Sequence, residues 1–191
     1  MYMLQGQPRG INQELDTHFE RAVEASSAAG DIHLEMLLRW LHVAARRMVA
    51  GSLWAATAGI NTHVSHFVES VTSAAHPLIE LLPPQRSALR EQGLLDPANK
   101  AVVVDLPTSG GKTTLAQFRI LQALNAFRQR DGWVAFVAPT RALVSQLTRR
   151  LRRDFGPLDI RVEQVSGGIE IDSFEEALLN EQRGFDILVS T

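Results

Sequence analysis

Only two lysines stand among the nineteen basic residues of this 191-residue chain. One of them, Lys112, sits inside the run VVVDLPTSGGKTTLAQF, Val102 to Phe118. Gly110 and Gly111 carry no Cβ, so the backbone there can bend tightly and bring its N–H groups close to phosphate oxygens. A helix opening at Lys112 would aim its free N–H groups and its positive dipole end at the same point. In that arrangement Lys112 reaches the β- and γ-phosphates of a nucleotide and the Thr113 hydroxyl coordinates Mg²⁺. The strict pattern G-x-x-x-x-G-K-[ST] fails at its first position, which is Leu106, while the Gly-Lys-Thr core and its surroundings persist. In a chain that otherwise uses arginine, a lysine here fits the need for a compact point charge.

Such a loop works only between a strand and a helix, and the pattern of apolar residues predicts both. From Ile11 to about Pro77 the periodicity is helical: Ile11, Leu15, Phe19 and Val23, then Leu34, Leu37, Leu38, Leu41 and Met48, then Ile60, Val64, Phe67, Val68 and Val71. Gly30-Asp31 and Gly51-Ser52 read as a stop followed by a cap. Pro77, Pro83 and Pro84 break the pattern, and strands then alternate with helices. The expected order is a short helix Gln85–Gln92, strand Ala101–Asp105, helix Lys112–Arg128, strand Trp133–Ala138, helix Arg141–Asp154, strand Ile160–Val165, helix Ser173–Glu181 and strand Asp186–Val189. Alternation of this kind predicts an α/β unit, a parallel sheet with crossover helices, after an all-α region. The expected division is a helical region over residues 1–80 and an α/β domain over 81–191.

Charge is unevenly placed. The net charge is −2, yet residues 100–153 hold ten basic and two acidic residues, and residues 154–191 hold two and nine. That basic excess points to a polyanion, either nucleotide phosphates or a nucleic-acid backbone. The cluster Arg149–Arg153 reads equally as part of that surface or as a solvated helix face. Zero cysteines exclude disulfides and thiolate metal sites and agree with a cytoplasmic location. No apolar run approaches the length of a membrane span.

PTSGGKT resembles motif I of the superfamily 2 helicases, the DEAD/DExH-box class, in which a leading residue other than glycine is ordinary. FVAPTRALVSQ, Phe136 to Gln146, looks like motif Ia of that class, SGG at Ser166–Gly168 is similar to motif Ib, and DILVST at Asp186–Thr191 to the strand before the next motif. Upstream, LLPPQRSAL resembles the adenine-side Q motif. The resemblance covers Leu81 to Thr191 and implies a partial RecA-like P-loop NTPase domain in an ATP-dependent helicase or translocase using ATP and Mg²⁺. It implies that Gln85 reads the adenine edge and that Thr108, Ser109, Gly110, Gly111, Lys112, Thr113 and Thr114 hold the phosphates and the metal. It further implies that Pro139, Thr140, Arg141, Gly167, Gly168 and Thr191 line a nucleic-acid strand, with DNA favoured over RNA. Backbone N–H groups and short hydroxyls at strand ends contact phosphates without reading bases.

The Asp-Glu pair that such enzymes use with Mg²⁺ is not found in these residues, so the expectation is that the chain stops short of it and does not turn over ATP alone. Other readings stay open. Another P-loop enzyme, such as a kinase, would use Lys112 and leave APTRALVSQ unexplained. A helical protein-docking module with a vestigial nucleotide site is a third, and in either case residues 1–80 could hold a protein partner. His63 and His66 lie at i, i+3 with no carboxylate at i+4 from either, although Glu69 is three residues past His66, and they read as solvated positions rather than a metal site. Trp40 and Trp54 read as core, and Ser173 with Glu176 as a capped helix start.

Overall fold

In the computed structural model, residues 11–108, 110–127, 132–165 and 184–191 are described. They form two compact units. The first runs up to Gly59 and takes in Val71–Gly93, and the second comprises Ile60–Ser70 and Leu94–Thr191.

The first unit is built on two long helices, α1 (Ile11–Ala28) and α2 (Ile32–Gly51), packed on each other. Their turn follows the chemistry of its residues. Gly30 takes φ +74, a left-handed conformation that L side chains rarely adopt. The Asp31 carboxylate then accepts a hydrogen bond from the Leu34 N–H and caps α2. Asp16 of α1 joins the helices through Arg46 Nε at 2.8 Å and Nη2 at 2.5 Å and through His42 Nε2 at 2.6 Å. Phe19 stacks on the His42 ring, with centroids 4.9 Å apart. Ser52 ends α2 and caps the short α3 (Leu53–Thr57) through the Ala55 N–H. The segment before α5 (Pro83–Arg90) docks here, with the Leu53 N–H donating to Ile79 O and the Leu81 N–H to Gly51 O. A Cβ on Gly51 would lie 2.5 Å from both Glu80 and Arg86 side chains, so this close approach needs the glycine.

The expectation of a buried Trp40 is corrected: it is 76% exposed, on a face of α2 that also presents Met36, Leu37 and Val43. The residues of α2 turned inward are those at the neighbouring stripe, Leu38, His42, Ala45 and Val49. Periodicity identifies an apolar helix without saying which of two apolar stripes is covered. Trp54 is half-buried, and its indole N–H has no hydrogen-bond partner among the described residues.

The second unit contains helix α4 (Thr62–Thr72, to Ser70), α6 (Lys112–Phe127), β1 (Val134–Val137), α7 (Arg141–Phe155) with a 3₁₀ turn at Gly156–Leu158, β2 (Val162–Gln164) and β3 (Ile187–Ser190). All three strands are parallel in the order β1-β3-β2, with Val134 opposite Ile187 and Val162 opposite Ile187. Ile187 and Val189 of the central strand are fully buried. Phe67 of α4 meets Phe118 of α6 and Phe155 of α7 edge-on, each at 5.5 Å, and these rings form the centre of the core with Leu115, Leu121 and Leu151.

The expected strand at Ala101–Asp105 is corrected as well. Residues 101–105 are extended but pair with no strand among the described residues, and Val103 is 95% exposed. Three consecutive valines have the propensity for a strand, but a strand exists only where a partner edge supplies its backbone hydrogen bonds. The expected helix at Ser173–Glu181 lies outside the described residues.

Candidate functional site

The residues expected to form a phosphate loop are contiguous and shaped by two glycines. The Gly110 N–H closes a turn on Pro107 O at 2.9 Å. A Cβ at Gly110 would lie 3.1 Å from that same carbonyl oxygen and 3.2 Å from Leu106 Cβ, so any side chain crowds the backbone. Gly111 follows with φ +73. This reversal starts α6: the Thr114 N–H bonds Gly111 O at 3.0 Å, leaving Lys112 and Thr113 in the first turn, where amide groups have no intrahelical acceptor. The Lys112 side chain is exposed and its ammonium donates to Pro107 O at 3.2 Å, folded back over the loop. Thr113 is half-buried and Thr114 buried. A bare turn, a first-turn lysine and an adjacent hydroxyl fit a polyphosphate with its divalent cation. Ser109 lies outside the described residues.

The parallel strands end on one edge. Val137 is in register with Ser190, and the Ala138 N–H bonds Ser190 O at 2.8 Å. Pro139, Thr140 and Arg141 therefore leave the sheet beside Thr191, at the carboxyl ends where open α/β sheets hold ligands. All four are exposed. The Thr140 hydroxyl caps α7 by accepting from the Leu143 N–H at 3.3 Å. Gly167 and Gly168 lie outside the described residues. Gln85 belongs to the first unit, where it is buried and its side-chain oxygen accepts the Leu82 N–H at 3.0 Å, closing the start of α5.

The arginine cluster of α7 is largely tied to the fold. Arg152 donates to Val162 O at 2.8 Å and to Glu163 at 2.7 Å, and Arg153 to Asp154 at 2.8 Å. Arg150 turns toward α6: its Nη2 donates to the Thr114 hydroxyl at 3.4 Å and its Nε lies 3.5 Å from Asp154 Oδ2. The same Asp154 oxygen accepts from the buried Gln117 of α6 at 2.8 Å. Sequence reasoning missed this group, although Arg150 and Asp154 stand at the i, i+4 spacing of a helical ion pair. Among the described residues no group of three or more His, Cys, Asp or Glu side chains is placed to hold a metal ion.

A parallel sheet flanked by helices, with a glycine-turned lysine at one helix start and an exposed Pro-Thr-Arg at a strand end, is part of a RecA-like domain. The family model of the DEAD/DEAH box helicases matches residues 83–191, over half of the chain, and the chain belongs to that family. It is 35% identical over 114 residues to the ATP-dependent DNA helicase Hel308 of Methanocella arvoryzae, covering 59% of this chain and 14% of that protein. It is 26% identical over 149 residues to the Hachiman protein HamB of Bacillus cereus, covering 76% and 13%. Over 91 residues it is 36% identical to the pre-mRNA-splicing ATP-dependent RNA helicase PRP28 of Gibberella zeae, covering 44% and 12%. The chain thus spans about an eighth of the length of each relative. Since the family model takes only residues 83–191, the HamB likeness must extend into the helical region. No helix among the described residues is long and apolar enough to cross a membrane.

Proposed function

We propose that this chain supplies the phosphate-gripping and strand-contacting elements of an ATP-dependent nucleic-acid helicase or translocase. The observation that carries the reading is Lys112 in the first turn of α6, directly after the left-handed Gly111, in a chain whose family match spans both this loop and Pro139–Arg141. Lys112 holds the β- and γ-phosphates, Thr113 holds Mg²⁺, and the N–H groups and hydroxyls of Thr108, Ser109, Gly110, Gly111 and Thr114 complete the cradle. Bound ATP supplies a phosphoryl group for transfer to water. What these residues contribute is position and positive charge at the oxygens where negative charge builds up. Gln85 reads the adenine edge. Pro139, Thr140, Arg141, Gly167, Gly168 and Thr191 hold a strand through its phosphates, independent of sequence. The longer likeness to a protein named as a DNA helicase favours DNA.

Within the helical region of residues 1–80, the exposed apolar face of α2 supports a protein-docking role for the α1–α2 pair. The cysteine-free composition agrees with work in the cytoplasm.

The test is nucleic-acid-stimulated ATP hydrolysis by the natural gene product that carries this sequence. Lys112→Ala removes the loop's cation and is expected to lower turnover by roughly 100-fold or more. Arg39→Ala, which removes only an exposed i, i+4 pair with Glu35, is expected to leave it unchanged. Near-normal turnover in Lys112→Ala rejects the assignment.

A further inference from the structure

Gln117 is 2% exposed, on a helix whose other buried residues are apolar except Thr114. A buried amide without partners is costly, and here its NH₂ group has one, the Asp154 carboxylate at 2.8 Å. From that carboxylate the contacts return to α6. Arg150 pairs with Asp154 on α7 at 3.5 Å and donates to Thr114 on α6 at 3.4 Å. Thr114 and Gln117 are one turn apart on α6, and Arg150 and Asp154 one turn apart on α7, so these three contacts and the α6 backbone together close a ring across the two helices.

The ring's position is what gives it meaning. On α6 it begins two residues after Lys112. On α7 it lies roughly 15 Å along the axis from Arg141, at 1.5 Å per residue. Each helix therefore carries, at its N-terminal end, one of the two ligand sites of the proposed function. We propose that Gln117, Asp154 and Arg150 form a brace that couples those sites, so that a strand held at Pro139–Arg141 changes how tightly the phosphate loop holds its nucleotide. The three are positioning residues. The inference rests on the proposed function and adds to it the route between its two sites.

The coupling is a ratio that can be measured by binding alone, without turnover: the affinity for a fluorescent ATP analogue with Mg²⁺, in the presence and absence of oligo(dT) or oligo(U). The measurement uses the natural gene product carrying this sequence and three variants: Gln117→Leu, Arg150→Met and Lys112→Ala. Arg150 is 42% exposed in its side chain, so Arg150→Met keeps the experiment informative if the core substitution Gln117→Leu does not fold. The expected result is that the brace variants reduce the ratio by roughly 2- to 30-fold while affinity for the nucleotide alone changes little. A purely structural role predicts instead that both affinities fall by one factor, and a ratio left unchanged in Arg150→Met overturns the brace. If the parent protein shows no coupling, the brace is overturned and the proposed function stands; if Lys112→Ala binds nucleotide as the parent does, the proposed function fails and the brace goes with it.

Discussion

At the scale of single residues, the loop turns on Gly111. Its φ of +73 is a conformation that costs a side-chain-bearing residue about 1–2 kcal/mol. Gly111→Ala is therefore expected to weaken nucleotide affinity by roughly 5- to 30-fold if the loop must keep this shape to bind. Gly30 has nearly the same φ, +74, in the turn between α1 and α2, and a Cβ there meets nothing within 4 Å. Gly30→Ala should cost stability of the same order and leave nucleotide affinity alone. Calorimetric titration of both variants separates loop geometry from general strain, and equal affinities for the two would count against the loop. Both glycines could be picked out in the sequence, because a glycine before a cap or a lysine marks a turn. The folding back of Lys112 onto Pro107 O had no such sign, since a side chain's resting partner depends on the path of the loop around it.

Among the elements, the α1–α2 pair and helix α7 each permit a direct test. Asp16 is held at about 2, below its ordinary 3.8, chiefly by the Arg46 guanidinium and next by His42. A lowered carboxyl pKa means that the folded state prefers the ionised form. This contribution is complete above 3.8 and is lost as pH falls through that value toward about 2. Acid titration of helix content should therefore show Asp16→Asn to be less sensitive than the parent between those two values, and equal sensitivity would dismiss the pairing. On α7, Arg141 stands at the strand end and Arg152 is bound to Val162 O and Glu163. Arg141→Ala should flatten the salt dependence of nucleic-acid binding by about one charge, and Arg152→Ala should leave the slope unaltered. A slope that changes equally in both would place the whole arginine cluster on the strand.

For the molecule as a whole, what could be read from the sequence was the alternation of elements and their limits. Helices Lys112–Phe127 and Arg141–Phe155 and strand Val134–Val137 fall within a residue or two of expectation, because an amphipathic period, a Thr140 cap and a Gly111 turn are local signals. Pairing is not local. The valines at 102–104 read as a strand and pair with none among the described residues, and Trp40 reads as core and is exposed, because each outcome depends on what surface comes to cover the residue. The same holds for α4, which lies before the prolines yet packs with the second unit. A protein begun at residue 81, where the motifs begin, would lack Phe67 and leave Phe118 and Phe155 without the ring between them. Removal of such an aromatic costs about 3–5 kcal/mol, so this shortened form is expected to melt far lower or to aggregate, whereas one begun at residue 60 keeps the ring. Light scattering during thermal denaturation of the two forms distinguishes them, and equal behaviour would show that α4 is dispensable to that core.

The discontinuous second unit also sets an order of events at the ribosome. Phe67 is synthesised roughly 90 residues before Phe155, which at ~5–20 residues per second is a wait of about 5–20 s. During that time the apolar side of α4, with Val64, Phe67 and Val68, is only partly covered: Phe118 of α6 becomes available first, and the cover is complete only with Phe155 of α7. Nascent chains of this protein should therefore be bound by holdase chaperones at α4 until α7 has emerged, and slow codons between the two helices would lengthen that dependence.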